Sequence, residues 1–287
     1  MDFKNYSYVD NKVVVKKIKN FVLPHIFENG QCFRWQKTDI GTYIIVAKNR
    51  VIELELQGED LIIHNSNIED FENIWIEYFD LERDYNSLKM SLKKDEYLVK
   101  AIEFGDGLRM LNQDPFEMII SFIISSNNRI PMIKKAINNI SEKFGECTSY
   151  KGDKYYFFPT LENLSSVTQE EFKACSVGFR DKYLFNTIKM LNECNDIEQI
   201  MSLSDDECHK ELQKFPGIGS KVSDCIMLFS MKKYSAFPVD VWVKRAMMKF
   251  YVAPDTSLKK IRDFGRNLFK DLSGFAQQYL FYYVREN

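Results

Sequence analysis

The sequence is poor in the residues that build metal sites and disulfide frameworks. Its three histidines, His25, His64 and His209, stand alone and do not have the spacing of metal ligands. Its six cysteines are scattered without a paired pattern, which favours free thiols in a reducing cytoplasm. They are Cys32, Cys147, Cys175, Cys194, Cys208 and Cys225. We therefore expect no bound metal ion and no disulfide bond.

Long apolar runs are also missing. The longest, such as residues 118–124, are too short to cross a bilayer. Residues 1–20 contain lysines but no apolar core, so they do not have the pattern of a signal peptide. These features favour a cytoplasmic protein that does not contact membranes.

The composition is that of an ordinary globular protein. With 287 residues, 45% of them hydrophobic and 28% charged, the chain can bury a sizeable core and hold more than one domain. A net charge of −2 argues against a nucleic-acid partner, but the charge is uneven. Residues 69–84 are strongly acidic and residues 232–249 strongly basic. Two interpretations of this distribution remain open: a basic face that binds DNA, or two ordinary solvated faces.

The residue pattern predicts an α+β fold. Strands are expected at residues 43–46, 51–56 and 61–64, with a helix over residues 68–79. They form an N-terminal domain, residues 1–97, built on an antiparallel sheet with helices. Residues 98–287 are expected to be helical, in two lobes between which the chain crosses near residues 115 and 214. Helices are predicted at residues 116–125, 131–144, 170–174, 180–194, 205–214, 220–231, 241–250, 257–269 and 274–286, with a loop or hairpin at residues 150–158.

The stretch at residues 215–222 (FPGIGSKV) has the signature of a helix-hairpin-helix. Pro216, Gly217 and Gly219 end the incoming helix, and Ser220 can cap the next one. Glycines in such a turn let backbone N–H groups approach a phosphate at a helix N-terminus. Lys221 lies in the first turn, where the helix dipole disfavours an ammonium and favours a nucleophilic amine.

These residues resemble the helix-hairpin-helix-GPD superfamily of DNA glycosylases. The resemblance rests on Pro-Gly-x-Gly-x-Lys, which ends at Lys221, and on Pro-Val-Asp, which ends nineteen residues later at Asp240. Further segments resemble the 8-oxoguanine DNA glycosylase branch in their order. They are residues 30–35 (GQCFRW), 113–115 (QDP), 125–128 (SSNN), 178–180 (GFR), and Gln277 with Phe281.

The resemblance implies roles for two catalytic residues. Lys221 would attack C1′ of the damaged nucleoside, displace the base and leave a Schiff base, so that strand cleavage by β-elimination follows. Asp240 would stabilise the charge that develops on the sugar or handle the lysine's protons. On residue type alone, Lys221 is an ordinary solvated lysine and Asp240 an N-cap for the helix at residue 241.

The resemblance also implies a pocket for the extruded base. Gly30 would accept the N7–H of 8-oxoguanine through its carbonyl, and Gln277 would bind the Watson–Crick edge. Cys225 and Phe281 would contact the two faces of the base. Without the resemblance, Gly30 is a plain turn, and Cys225 and Phe281 are core residues.

Other matching positions would contact the DNA around the lesion. Asn127 and Arg180 would occupy the gap and bond the orphaned cytosine, while Met132 stands where eukaryotic relatives have a second arginine. Gly217 and Gly219 would bring the hairpin backbone to a phosphate, with a monovalent cation on nearby carbonyls. Because no cysteine follows Cys225, the iron–sulfur cluster of some relatives is expected to be absent, and no cofactor is expected to be required. The family suggests a monomer. Trp242 and Val284 replace a histidine and an acidic residue of the eukaryotic pattern, which leaves proton handling and base contacts open.

The sequence therefore predicts a bifunctional 8-oxoguanine DNA glycosylase and lyase that acts on double-stranded DNA. A glycosylase with another target, such as an oxidised pyrimidine or alkylated purine, remains open, although Gly30 and the Gln277–Phe281 pair argue against it. A non-catalytic module that uses the hairpin only to bind phosphate also remains open. A helical protein of another kind would require all the other motifs to be coincidental.

Overall fold

The N-terminal part of the chain folds around a six-stranded antiparallel sheet. In this computed structural model, residues 1–193 and 196–287 are described. Cys194, which is also the predicted end of the helix over residues 180–194, lies outside the described residues. The strands are β1 (Asn5–Val9), β2 (Lys12–Lys16), β3 (Trp35–Lys37), β4 (Tyr43–Ala47), β5 (Arg50–Gln57) and β6 (Asp60–His64), in the spatial order β1-β2-β6-β5-β4-β3.

The three predicted strands correspond to β4, β5 and β6, and the structure adds three that were not predicted. β1 is mostly exposed and β3 has only three residues, so neither has a buried alternating pattern that the sequence could reveal. β2 does alternate, with Val13 and Val15 buried, but the lysines at its ends obscure the pattern. The α+β fold class is confirmed.

The alternation of apolar and charged residues over residues 51–56 indicates a half-buried strand, but Glu53 of β5 is buried. Glu53 is buried because a second hairpin, β7 (Cys147–Tyr150) and β8 (Asp153–Tyr156), covers that face of the sheet. Its carboxylate accepts hydrogen bonds from Thr42 Oγ1 at 2.6 Å and from Tyr150 Oη at 2.8 Å, and it pairs with Lys151 Nζ at 2.5 Å. Burial would raise the pKa of Glu53, but these three partners lower it below its ordinary value.

Most of the rest of the chain is helical. Its first helices are α1 (Leu23–Phe27), α2 (Ile68–Asp70), α3 (Ile76–Tyr78), α4 (Tyr85–Leu92) and α5 (Glu96–Phe104), of which α4 and α5 belong to the helical core. The predicted helix over residues 68–79 is formed by α2 and α3 with a π-helical turn, Phe71–Trp75, between them. The later helices are α6 (Pro115–Ser125), α7 (Ile130–Phe144), α8 (Leu161–Leu164), α9 (Gln169–Ala174), α10 (Asp181–Glu193), α11 (Ile197–Ser202), α12 (Asp205–Leu212), α13 (Ser220–Ser230), α14 (Val241–Phe250), α15 (Leu258–Phe269) and α16 (Ser273–Glu286).

Two apolar cores lie in the molecule, one under the sheet and one among the helices. Trp75 and Phe79 pack in the first, and Phe122 and Phe229 stack in the second with ring centroids 5.7 Å apart. The domain boundary at residue 97 and the two lobes of the helical part stay predictions. No helix within residues 1–193 and 196–287 is long and apolar enough to span a membrane.

A buried glutamine joins the loop after α1 to the helical part. Gln31 Nε2 donates to the carbonyl oxygens of Ile26 and Arg109, both at 2.8 Å, and Gln31 Oε1 accepts from Leu111 N at 2.9 Å. Gln113 Nε2 donates to the Gln31 carbonyl at 2.7 Å. Because these bonds are buried, they fix the position of Gly30, the residue before Gln31.

Candidate active site

The hairpin between α12 and α13 is a tight turn with a left-handed glycine. Ile218 N donates to the Phe215 carbonyl at 3.1 Å, and Gly217 has φ +86°. Pro216 at the second position and a glycine with positive φ at the third are the signature of a type II turn. A Cβ on Gly217 would lie 2.9 Å from Tyr183, so both backbone conformation and space require glycine here.

The helix α13 begins at Ser220 as predicted, but its N-cap differs from the prediction. Gly219, with φ −95°, is the N-cap, and Ser220 is already helical with no capping role. The Ser220 hydroxyl instead lies 3.3 Å from His209 Nε2 of α12. Lys221 is therefore the second residue of the helix, within its first turn as expected. The space beside Gly219 is open, because a Cβ there would meet nothing within 4 Å.

The structure brings six of the predicted residues together around one cavity. They are Gly30, Lys221, Cys225, Asp240, Gln277 and Phe281, and the cavity has a volume of about 50 Å³. Its other lining residues include Phe122 and Phe229, whose rings form an apolar wall. A cavity of this size holds only a few water molecules, so it must widen to admit a purine base.

Lys221 and Cys225 lie one turn apart on α13, and only the lysine suits a nucleophile. Lys221 Nζ lies 5.4 Å from the centroid of the Phe122 ring. Burial raises the pKa of the Cys225 thiol to about 11, although the neighbouring Lys221 acts in the opposite direction. The thiol therefore stays protonated near neutral pH and is a poor nucleophile.

Asp240 caps α14 and faces the same cavity. Its Oδ1 accepts hydrogen bonds from Trp242 N at 2.9 Å and from Val243 N at 2.8 Å. The interpretation of Asp240 as an N-cap, which its residue type alone favours, is therefore confirmed. Because one oxygen accepts both bonds, the cap leaves Oδ2 available for chemistry in the cavity.

Gln277 and Phe281 lie one turn apart on α16 and both face the cavity. Gln277 is 4% exposed, and its Oε1 has no hydrogen-bond partner among residues 1–193 and 196–287. A buried acceptor without a donor costs roughly 1–3 kcal/mol. The arrangement is that of a site awaiting an N–H donor from a ligand.

Gly30 lies directly beside Phe281. It has φ +82°, a conformation that glycine adopts without steric cost, and a Cβ there would lie 3.8 Å from the Phe281 ring. Gln278 Nε2 of α16 donates to the Asn29 carbonyl at 3.3 Å, which joins the loop that carries Gly30 to the helix that carries Phe281. Gly30 backbone atoms can therefore reach the cavity.

The predicted opposite-base residues lie together in another part of the molecule, outside this cavity. Asn127, with φ +50°, follows α6, and Met132 lies in the first turn of α7 with 44% of its surface exposed. Arg180 is buried, and its guanidinium donates from Nε to Ser126 O at 2.9 Å and from Nη2 to Asn127 O at 2.9 Å. In this structure Arg180 thus holds the loop that carries Asn127.

Sequence reasoning missed one exposed aromatic ring in this group. Phe179 is 53% exposed, and the Arg180 guanidinium carbon lies 4.4 Å from its ring centroid. An aromatic residue supported in this way beside Asn127 can stack on a base. The segment GFR contains the signal, but exposure could not be read from the sequence.

A buried ion pair outside this cavity also supports α13. Asp224, which is fully buried, accepts from Arg262 Nε at 2.6 Å and Nη2 at 2.8 Å. His209 Nε2 lies 3.5 Å from Asp224, and burial lowers the pKa of this histidine. These contacts fix the helix that carries Lys221 against α12 and α15.

No metal centre is assembled by the part of the chain that the structure describes. Within residues 1–193 and 196–287, no three His, Cys, Asp or Glu side chains come together as potential ligands. The five cysteines within the described residues are free thiols.

Two protein families match consecutive parts of the chain. The N-terminal domain of 8-oxoguanine DNA glycosylase matches residues 13–119, and the HhH-GPD superfamily base excision DNA repair protein matches residues 120–270. Among named relatives, the N-glycosylase/DNA lyase OGG1 of Arabidopsis thaliana is 32% identical over 284 residues, which cover 90% of this chain and 76% of the relative. The probable N-glycosylase/DNA lyase of Methanothermobacter thermautotrophicus is 30% identical over 233 residues, which cover 74% of each chain.

Solved structures show the same similarity over the whole chain. The 8-oxoguanine glycosylase/lyase of Clostridium acetobutylicum, in complex with double-stranded DNA containing cytosine opposite 8-oxoG, is 57% identical. Its TM-score is 0.99, with 100% of this chain and 99% of that chain covered. MBOgg1 in complex with a low affinity DNA ligand is 44% identical with a TM-score of 0.96, and covers 100% of this chain and 99% of its own.

Proposed function

This chain belongs to the HhH-GPD superfamily of base excision DNA repair proteins, in its 8-oxoguanine DNA glycosylase branch, and we propose that it excises 8-oxoguanine from double-stranded DNA and then cleaves the abasic strand. The observation that carries the proposal is the convergence of Lys221, Asp240 and the unpaired Gln277 Oε1 on one cavity. A binding module would need the hairpin but would have no use for this cavity.

The base is bound first. The flipped 8-oxoguanine enters the cavity between Cys225 and Phe281, and its N–H groups satisfy Gln277 Oε1. The Gly30 carbonyl accepts the N7–H that guanine lacks. Each such bond is worth roughly 1–3 kcal/mol when the alternative is a buried unpaired group. Because guanine offers Gln277 the same N–H groups, only the bond to Gly30 discriminates the two bases. Stacking and edge bonds offset the few kcal/mol that flipping costs.

Lys221 then performs the covalent chemistry. Its neutral amine attacks C1′, a C1′–N bond forms, and the bond from C1′ to N9 of the base breaks with its electron pair leaving on the base, which takes up a proton. The nitrogen loses a proton, the C1′–O4′ bond breaks with its electron pair leaving on O4′, which takes up a proton, and a protonated Schiff base remains. Asp240 stabilises the positive charge that develops on the sugar. Loss of a C2′ proton expels the 3′-phosphate by β-elimination, and water releases Lys221 from the imine.

The hairpin holds the DNA backbone during these steps. Backbone N–H groups in the first turn of α13 bind one phosphate through the open space beside Gly219. The Phe215 carbonyl accepts only one hydrogen bond in the turn, so its second lone pair suits a monovalent cation that bridges to this phosphate. We propose no other cofactor. DNA affinity in KCl and in tetramethylammonium chloride of equal ionic strength tests for the cation, since only the former supplies an ion that carbonyls can coordinate.

The similarity to proteins of a bacterium and an archaeon supports action in a prokaryotic cytoplasm, on DNA.

Borohydride trapping on duplex DNA with one 8-oxoguanine tests the proposal. The unaltered protein is expected to form a covalent adduct, and Lys221→Gln is expected to form none while still binding the duplex. Lys214→Gln is the matched control, because Lys214 lies in the same hairpin but pairs with Glu211 on the surface.

Two other outcomes are informative. An adduct on other lesions but not on 8-oxoguanine would keep the mechanism and change the substrate. No adduct on any damaged duplex would leave a DNA-binding module and contradict the proposed activity.

A further inference from the structure

We propose that Arg285 is a positioning residue that holds the glycine wall and the aromatic wall of the base pocket together, and so controls base excision without affecting strand cleavage. This inference rests on the proposed function of the pocket. Arg285 lies in the last turn of α16, one turn beyond Phe281. It lines no part of the cavity itself, so its action must pass through Gly30 and Phe281.

Arg285 ties the end of α16 to the loop that carries Gly30. Its Nη2 donates to the carbonyl oxygen of Glu28, two residues before Gly30. Its side chain is only 15% exposed, so this bond lies largely out of water. A charge-assisted bond to a backbone carbonyl is roughly twice as strong as a neutral one and constrains the loop.

The same guanidinium borders both walls of the pocket. Its central carbon lies 5.2 Å from the centroid of the Phe281 ring, within the range of a cation–π contact. Its Nη1 lies 3.6 Å from the position that a Cβ on Gly30 would occupy. Arg285 is therefore in a position to fix the distance between the ring that stacks on the base and the backbone that reads its edge.

One part of this arrangement is costly for the fold. Arg285 Nη1 is buried and has no hydrogen-bond partner in the described part of the chain. Unpaired buried donors are rare in folded proteins, and those that persist often serve a function. The contact with the ring face of Phe281 offsets part of this cost. That contact forms only when the guanidinium lies against the pocket wall.

A simple surface ion pair does not explain the residue. Arg285 Nε also donates to Glu286 Oε1 at 2.8 Å, but that glutamate is 43% exposed. Exposed pairs of this kind contribute little to stability. Glu286→Gln therefore serves as a matched control that removes the ion pair and leaves the contacts with Glu28 and Phe281 in place.

The test compares two reactions of the same full-length variants. Single-turnover excision is measured on duplex DNA with 8-oxoguanine, and strand cleavage is measured on the same duplex with a preformed abasic site. Both need Lys221, but only the first needs the base pocket. For Arg285→Met we expect excision to slow ~10- to 100-fold, since displacement of a positioned group by about 1 Å has effects of this size. Abasic-site cleavage should change less than about threefold.

The variants Arg285→Lys and Glu286→Gln complete the test. Lysine keeps the charge and one donor but not the planar guanidinium, so it should restore part of the excision rate. Glu286→Gln should behave like the unaltered protein in both reactions. Equal loss of excision and cleavage in Arg285→Met would show a merely structural role and overturn the inference, as would no loss in either. If the unaltered protein itself does not excise 8-oxoguanine, the proposed function fails instead.

Discussion

At the scale of single residues, Asp240 combines a structural contact with a place in the proposed active site. Its Oδ1 caps α14 through two backbone N–H groups, and the residue also lines the cavity that contains Lys221. Substitutions can separate these roles because asparagine keeps an Oδ1 acceptor and loses only the charge.

We expect Asp240→Asn to keep the stability of the fold and to slow excision by about 10²-fold, the usual effect of removing an electrostatic group from an active site. Asp240→Ala should lose the cap as well, which lowers the free energy of unfolding by about 1 kcal/mol. Thermal unfolding and single-turnover excision measure the two effects. Full activity in Asp240→Asn would mean that the residue is only an N-cap.

Met132 concerns recognition of the opposite base. Its exposed side chain has no donors for a base edge, whereas a bidentate arginine contact is worth roughly 1–3 kcal/mol of discrimination. We therefore predict comparable excision of 8-oxoguanine opposite cytosine, thymine and adenine. Met132→Arg should raise the preference for cytosine by about tenfold. Single-turnover rates on the three duplexes check this, and strict dependence on cytosine in the unaltered protein would contradict it.

At the scale of structural elements, the hairpin contains two glycines with different duties. Gly217 has positive φ and packs against Tyr183, while Gly219 has φ −95° and open space beside it. The first is needed for the turn itself. We expect the second to be needed only when a phosphate approaches, because the free protein has space for a larger residue there.

This difference predicts opposite phenotypes for two alanine variants. Gly217→Ala should destabilise the fold by at least about 1–2 kcal/mol, the cost of left-handed backbone for a residue with a Cβ. Gly219→Ala replaces the N-cap of α13, so it should lower the free energy of unfolding only slightly, by less than about 1 kcal/mol. It should nevertheless bind duplex DNA about tenfold more weakly, a loss of about 1.4 kcal/mol. Thermal unfolding and DNA titration measure these effects. Unchanged DNA affinity in Gly219→Ala would place the phosphate elsewhere.

At the scale of the whole molecule, a buried pair joins the sheet side to the helical part. Glu117 in the first turn of α6 lies 3.7 Å from Arg34, whose segment follows Gly30. Burial raises the pKa of Glu117 from 4.5 to about 7, although Arg34 acts in the opposite direction. The folded protein therefore binds a proton at this site in a pH range where the unfolded chain has lost it.

The proton on Glu117 makes the folded protein more stable at low pH than at neutral pH. The stability contributed by this proton is fully present below pH 4.5 and is lost as pH rises through about 7. Glu117→Gln cannot titrate, so its stability relative to the unaltered protein should improve by about 1–3 kcal/mol between pH 4.5 and 8. Denaturant unfolding across this range measures the difference. Glu162→Gln, at an exposed position of α8, is the control, and a difference that does not vary with pH would contradict the expectation.

The sequence by itself determined the fold class, most helices and the turn of the hairpin. These features depend on interactions between residues close together in the chain. Periodic apolar residues define α13 and α16, and glycine and proline define the turn before Lys221. The sequence revealed the pairs Lys221–Asp240 and Gln277–Phe281 because each pair lies in a short segment with a recognisable motif.

The tertiary structure alone decided which groups share a wall and which remain unpaired. Glu53 is buried by a hairpin from a distant part of the chain, Arg180 is committed to the loop at Asn127, and Arg285 meets the loop before Gly30. Burial and hydrogen-bond satisfaction depend on every neighbour in space, and no local pattern encodes them. For this reason the sequence predicted the residues that we propose to react, whereas the residues that hold them in place appeared only in the folded molecule.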